Sequence, residues 1–353
     1  MAKDVVSGRQ AEPDMAKAAG IILVVFGHVL RGLFSAGIVE EEGILAAIDR
    51  MIYLFHMPLF FYLSGLFAEK SVMRDGSAAF TRKMAETLLL PLIVWSYIQF
   101  TIQFAAGGAV NNPVSLIGVL TAPFPPRQQF WFLGSLFLIS AVMACVLRQK
   151  NSHAFLKGLM VLLFAGQAIF WGGIQSLMVQ NLGTFLFAQT LVHMPFFILG
   201  TLYGTGRIRQ VRVPEIICVT VFVASLYAYE ALSFADGWVR MVASVLCVLS
   251  LYKIIIHLCD RASAYGSFLR WGVFIGMNSM IIYLAHVIAA AGFRIILQKL
   301  GIEQASLHIA GGFLSGLIGP LLLVPVGLKL AKHYPRLARA IFPVRYERKA
   351  HLA

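Results

Sequence analysis

Four histidines stand inside long apolar runs of this chain, and two of them share a helical face with a charged residue. His28 closes the run GIILVVFGH, and ten uncharged residues separate it from Lys17. Eleven steps of about 100° make three turns and roughly 20° more, so Lys17 and His28 face the same way, about 16 Å apart along a helix. His56 follows Asp49 by seven residues, about 20° short of two turns, so that pair also shares a face. Ser279 and His286 repeat the seven-residue spacing, and His193 lies in VHMPFFILG, followed by Pro195 as His56 is by Pro58. An imidazole, with an ordinary pKa near 6.5, can take a proton from a hydroxyl, be acylated transiently, or pass a proton along a relay. An ionisable residue behind such an apolar run is costly, which makes function the default reading. The plainer alternative is a snorkelling Lys17 and histidines that bond to neighbouring helices. His153, His257, His308, His333 and His351 fall at the ends of apolar runs or between them, where a solvated or interfacial role is expected.

The elements that must hold these groups are membrane helices. Hydrophobic residues make up 59% of the 353 and charged residues only 13%, against about 25% charged in an average soluble domain. Ten segments reach the roughly 20 residues that a span requires: near 15–38, 44–68, 84–106, 129–147, 156–174, 185–204, 214–232, 238–257, 271–297 and 307–330. The expected fold is all-α, a polytopic bundle over 15–330 between a polar segment 1–14 and a basic tail 331–353. Residues 1–14 lack the basic start and cleavage site of a secretory signal, so the first span is expected to be retained. The net charge of +13 does not point to nucleic acid. Of the Lys and Arg, 22 fall in segments on the N-terminal side of the ten spans, and only Arg127 and Lys299 in loops on the other. That bias places both termini in the cytoplasm. Four cysteines without metal-ligand spacing are expected to be free thiols, and no metal site is expected.

Four arginines, Arg31, Arg50, Arg240 and Arg294, sit inside spans toward the outer ends and oppose this topology. Each must find water, a carboxylate or an anionic ligand. Asp49 and Arg50 are adjacent and point to different sides of their helix, so they do not satisfy each other simply. At the inner boundary, Arg82 and Lys83 open the third span with Glu86 a turn further on. They are topology signals, lipid contacts, or a grip on the phosphates of a soluble donor. Trp131, after the proline-rich PFPPRQQ, suits a membrane interface.

No GxSxG, HExxH or GxxxxGK[ST] motif occurs. Two classes of function fit buried histidines with basic inner loops: a group transferase using His as base, and a proton-coupled transporter or exporter of a glycan-related molecule. The repeated His-x-Pro of spans two and six is the hint toward a transporter.

Three phrases carry a resemblance to a known family: Asp14-x-x-Lys17 with His28 in GIILVVFGHV, FHMPLFFYLSGLF in the second span, and FWFLGSLF with NSMIIYLAH later. Together they resemble the membrane acyltransferase type 3 family, in its fucose-4-O-acetylase-like branch, from about residue 13 to 330. The resemblance implies a ten-helix bundle in a bacterial inner membrane, transferring an acyl group, often acetyl from acetyl-CoA, to a hydroxyl of a surface glycan or lipid-linked sugar. It implies His28 as the catalytic base, with His56 beside it. Asp14 and Lys17, with Arg82 and Lys83, are the donor-side candidates. Asp49, Arg31, Trp131 and His286 are candidates for the acceptor or the oxyanion. The family's basic pair lies nearer the proline matching Pro91, where this chain has Glu86 and Thr87. A homo-oligomer in contact with membrane lipid fits the same reading.

Overall fold

The computed structural model of the chain describes residues 11–208, 211–232, 237–261 and 266–343. The expectations for residues 1–10, for the tail from 344 onward, and for His351 therefore lie outside the described residues. Among the described residues there is no strand, and ten stretches of helix are long and apolar enough to cross a membrane. The protein is an all-helical, polytopic membrane protein.

The core is built on α1 (Glu12–Ser35) and α2 (Gly43–Gly65). They run antiparallel, with Gly20 against Phe60 and Gly27 against Tyr53. Two short helices, α3 (Ala68–Asp75) and α4 (Ser77–Met84), follow at the Lys17 end, then a π-helical turn Ala85–Leu89 and α5 (Leu90–Ala106). A short α6 (Leu116–Leu120) leads to α7 (Trp131–Val146), α8 (Ser152–Gln180) and α9 (Leu182–Gly204). α9 lies parallel to α2 with backbones in contact: a Cβ on Gly65, Gly200 or Gly204 would strike the carbonyl of Phe197, Tyr62 or Leu66. Small residues at such crossings let helices approach where no hydrophobic effect drives them together. α10 (Glu215–Leu232) and α11 (Gly237–Asp260) form the next pair. The chain then returns to α1 through α12 (Gly266–Met277), α13 (Ser279–Lys299) and α14 (Ala305–Ile318). Last come α15 (Val324–His333) and α16 (Pro335–Ile341), and Trp95 Nε1 on α5 donates to the Ile341 carbonyl at 2.8 Å.

The elements differ from the sequence reading in three places. Residues 69–83, between the second and third expected spans, are not without structure but form the helical pair α3–α4, turned at Gly76, whose φ of 82° suits glycine. The fifth span does not stop near 174. It bends at Phe170, passes through Gly172 and Gly173, and ends at Asn181, which caps α9 in a reciprocal box with Thr184. The ninth span, read as one helix over 271–297, is broken at Asn278. There the backbone leaves the helical region, and the side-chain amide donates to the Phe274 carbonyl at 2.9 Å. The break turns α12 onto α1, where Gly272 and Gly276 sit against Met15 and the Asp14 backbone.

Candidate active site

Three helices converge on His28. It stands on α1, half-buried, and makes no hydrogen bond to any described residue. α2 brings Tyr53, whose ring centroid is 6.3 Å from that of His28, and α13 brings His286 at 5.0 Å. His286 is fully buried. Its Nδ1 lies 2.7 Å from the Tyr283 carbonyl and 3.0 Å from that of Ile282. A carbonyl only accepts, so Nδ1 carries the proton and Nε2 presents a lone pair. That Nε2 is buried with no partner among the described residues. An unsatisfied buried acceptor is uncommon enough to require a reason.

His56 extends the cluster on α2. Its ring stands edge-on to Tyr53 with centroids 4.6 Å apart, and its Nδ1 donates to the Ile52 carbonyl at 2.7 Å. The carbonyl that Pro58 leaves without its helical donor is that of Leu54, and Ser244 Oγ of α11 supplies the missing bond at 2.8 Å. His56 is therefore not the group that repairs the proline kink. The sequence pattern does not single out Tyr53, although it falls one turn from Asp49 and one from His56. Its hydroxyl is buried without a partner among the described residues.

Further candidates assemble beside this cluster, toward the C-terminal end of α1. Arg31 Nε lies 3.1 Å from both oxygens of Asp49, and its guanidinium covers the Tyr53 ring at 3.0 Å. Asp49, 6% exposed, is thus held by Arg31 and not by its neighbour Arg50. Arg50 reaches across to Glu230 of α10. Arg240 bonds the Tyr229 hydroxyl at 3.1 Å and lies over the Trp171 ring, while Arg294 donates to Asn111. Arg31, Arg50, Arg240 and Arg294 all have partners within the protein.

The donor-side candidates lie at the opposite end of α1. Lys17 Nζ bonds Asp14 Oδ1 at 3.2 Å where α12 packs on α1. Arg82 pairs with Glu86 at 3.1 Å and Lys83 with Asp75 at 3.8 Å, both basic side chains being exposed. They share the Lys17 end of the bundle, and no described contact joins them to Lys17 or His28. Trp131 is not in the His28 cluster, because α7 carries it toward α9. It packs there with Phe61, Phe185 and His193, 5.2 Å from the His193 ring. A hydroxyl or thioester reaching the cluster would meet one half-open imidazole, two imidazoles fixed as Nδ1–H tautomers, and a phenol, a set suited to moving protons.

The chain is thus a polytopic helical bundle with imidazoles gathered on its first, second and ninth spans. The family described as an acyltransferase domain, that of the type 3 acyltransferases, matches residues 10–325, and the chain belongs to that family. It is similar to Nodulation protein NolL of Mesorhizobium japonicum, 32% identical over 145 residues, or 41% of this chain and 38% of that protein. It is likewise similar to Nodulation protein NolL of Sinorhizobium fredii, 33% identical over 142 residues, 40% of this chain and 36% of the relative. The aligned part thus spans well under half the length of these curated relatives. No solved structure matches the chain.

His56 gives a first test. It is 1% exposed and touches Tyr53. If it belongs to the site, His56→Ala loses more than about tenfold in transfer activity with little change in melting temperature, and His56→Gln, which keeps a donor and an acceptor, recovers part of it. A destabilised but fully active His56→Ala removes His56 from the site; both quantities are measured on the same purified variants.

Proposed function

We propose that this protein is an O-acyltransferase of a bacterial inner membrane, with both termini cytoplasmic, that transfers acetyl from acetyl-CoA to a hydroxyl of a surface polysaccharide or lipid-linked sugar. The observation that carries the reading is His28: a half-buried imidazole with uncommitted nitrogens, in an apolar helix, facing a second imidazole whose Nε2 has no partner among the described residues. Membership of the acyltransferase family supports the reaction class.

In this mechanism the thioester enters from the Lys17 end and the acceptor from the Arg31 end. A nitrogen of His28 takes the acceptor's hydroxyl proton as the oxygen attacks the thioester carbonyl. His286 Nε2, without a partner among the described residues and on a ring 5.0 Å from that of His28, would take the N–H at the other nitrogen of His28 once the rings turn toward each other, fixing the basic tautomer and supporting the imidazolium that forms. The tetrahedral intermediate collapses, the C–S bond breaks, and His28 returns its proton to the departing sulfur. The Tyr53 hydroxyl, buried beside the imidazoles, donates to the oxyanion. Direct transfer and an acyl-His28 intermediate use the same groups.

Lys17 serves the donor. Its ammonium, one-fifth exposed beside Asp14, is a positive charge placed to attract a phosphate entering at this end. Lys17→Ala is expected to raise KM for acetyl-CoA about tenfold with a smaller change in kcat, and Lys17→Arg to restore most of the loss. An unchanged dependence of rate on acetyl-CoA concentration in the alanine variant would take Lys17 out of the donor site.

A further inference from the structure

The outer half of the bundle holds a cation that the mechanism above does not use. Arg31 and Arg50 are matched by Asp49 and Glu230, and Arg240 lies over the face of Trp171. Arg294 differs. It is 7% exposed, donates to the Asn111 side-chain carbonyl, and has no carboxylate at ion-pair distance among the described residues. A buried guanidinium held only by a neutral amide is costly, and such residues inside spans mark ligand paths.

Its position relative to His28 follows from the second bond of Asn111. The Asn111 amide donates to the Gly32 carbonyl at 2.9 Å, so Arg294 is tied to α1 one turn outward from His28. Beside Gly32 there is open space: apart from its chain neighbours and the backbone of its own helix, no atom lies within 4 Å of where a Cβ would stand. Arg31, the next residue of α1, is half-exposed and turned toward Asp49 of α2. The open side of Gly32 thus lies one turn along α1 from His28, and Asn111 links the Gly32 carbonyl to the Arg294 guanidinium. On the acyltransferase reading, on which this inference rests for the identity of the ligand, the acceptor comes from this end.

We propose that Arg294 anchors an oxyanion of the acceptor in the space beside Gly32. The guanidinium fork matches the two oxygens of a phosphate or a carboxylate. One helical turn, about 5.4 Å, separates Gly32 from His28, so the anchored oxyanion and the reacting hydroxyl belong to the same or adjoining sugar units. The acceptor is therefore an anionic glycan, its charge being either the diphosphate of a lipid-linked sugar or the carboxylate of an acidic sugar.

The test is direct binding to the purified full-length protein by calorimetry, with farnesyl diphosphate, inorganic pyrophosphate and glucuronate as probes and methyl glucoside as the neutral control. The parent is expected to bind at least one anion and not the neutral sugar. Binding of the two diphosphates assigns a lipid-linked acceptor, and binding of glucuronate an acidic sugar. Arg294→Gln is expected to weaken that binding at least about tenfold, without lowering the ligand-free melting temperature, because removal of a buried charge that has no carboxylate partner among the described residues offsets the lost bond to Asn111. Gly32→Leu, which fills the open space and leaves Arg294 in place, is expected to weaken binding as well. The proposal is overturned if no anion binds the parent, or if Arg294→Gln binds as the parent does. It is overturned equally if Arg294→Gln melts lower while Gly32→Leu binds normally, which makes Arg294 structural. Binding requires no turnover, so absence of thioester cleavage would remove the transferase reading and leave the anion site standing.

Discussion

His28→Ala is expected to lower acyl transfer by roughly 10²–10⁴-fold, the usual contribution of a positioned general base. The protein should still insert and fold. His28 is half-buried and makes no hydrogen bond to a described residue, so its removal leaves no described group newly unpaired. His28→Gln tests the chemistry more finely: it keeps a polar side chain of similar reach and cannot act as a base near neutral pH, so it should be as inactive as the alanine variant. Retention of more than about half of the parent rate in either variant would sink the assignment of His28 as base.

The second large effect is expected at His286. Its Nε2 is buried without a partner among the described residues, and its Nδ1–H is spent on two carbonyls of its own helix. A buried polar atom left unsatisfied costs about 1–3 kcal/mol. His286→Phe keeps a flat ring, removes that atom, and leaves the Ile282 and Tyr283 carbonyls to their helical bonds. The melting temperature should therefore hold or rise, while transfer falls by about 10²-fold or more because His28 loses the acceptor that fixes its tautomer. The residual pH–rate profile should also shift, which a packing role would not produce. An active His286→Phe of unchanged pH profile would return His286 to the packing of α13 against α1.

Along each helix the site can be read from the sequence, because a period of 3.6 residues is a property of one segment. Lys17 and His28, Asp49 and His56, and Ser279 and His286 fall on shared faces in this way. What the sequence does not contain is how far each helix slides and turns against the next. The pairing of His28 with His286, of Arg31 with Asp49, and of Arg50 with Glu230 joins residues from different spans, and the period of one helix carries no register for another. The need for partners is readable, since a guanidinium in a span requires one, but the identities of Glu230, Tyr229 and Asn111 are not. Tyr53 escapes for a different reason: a tyrosine in a span reads as an interfacial anchor, and only the packing places its hydroxyl beside the imidazoles. The broken ninth span is hidden by its own hydrophobicity. An apolar run gives no sign that Asn278 will bond back to Phe274 and turn α12 onto α1.

If this membrane bundle cleaves a thioester by means of His28, the sharpest measurement is the release of CoA thiol from acetyl-CoA by the purified, detergent-solubilised parent. Release is followed with a thiol-reactive dye, beside His28→Ala under the same conditions. Thiol release above the no-protein rate is expected from the parent, and none above that rate from His28→Ala. Equal release from both, or no release from a parent that instead carries a glycan-linked molecule across a sealed vesicle membrane, would contradict the acyltransferase mechanism.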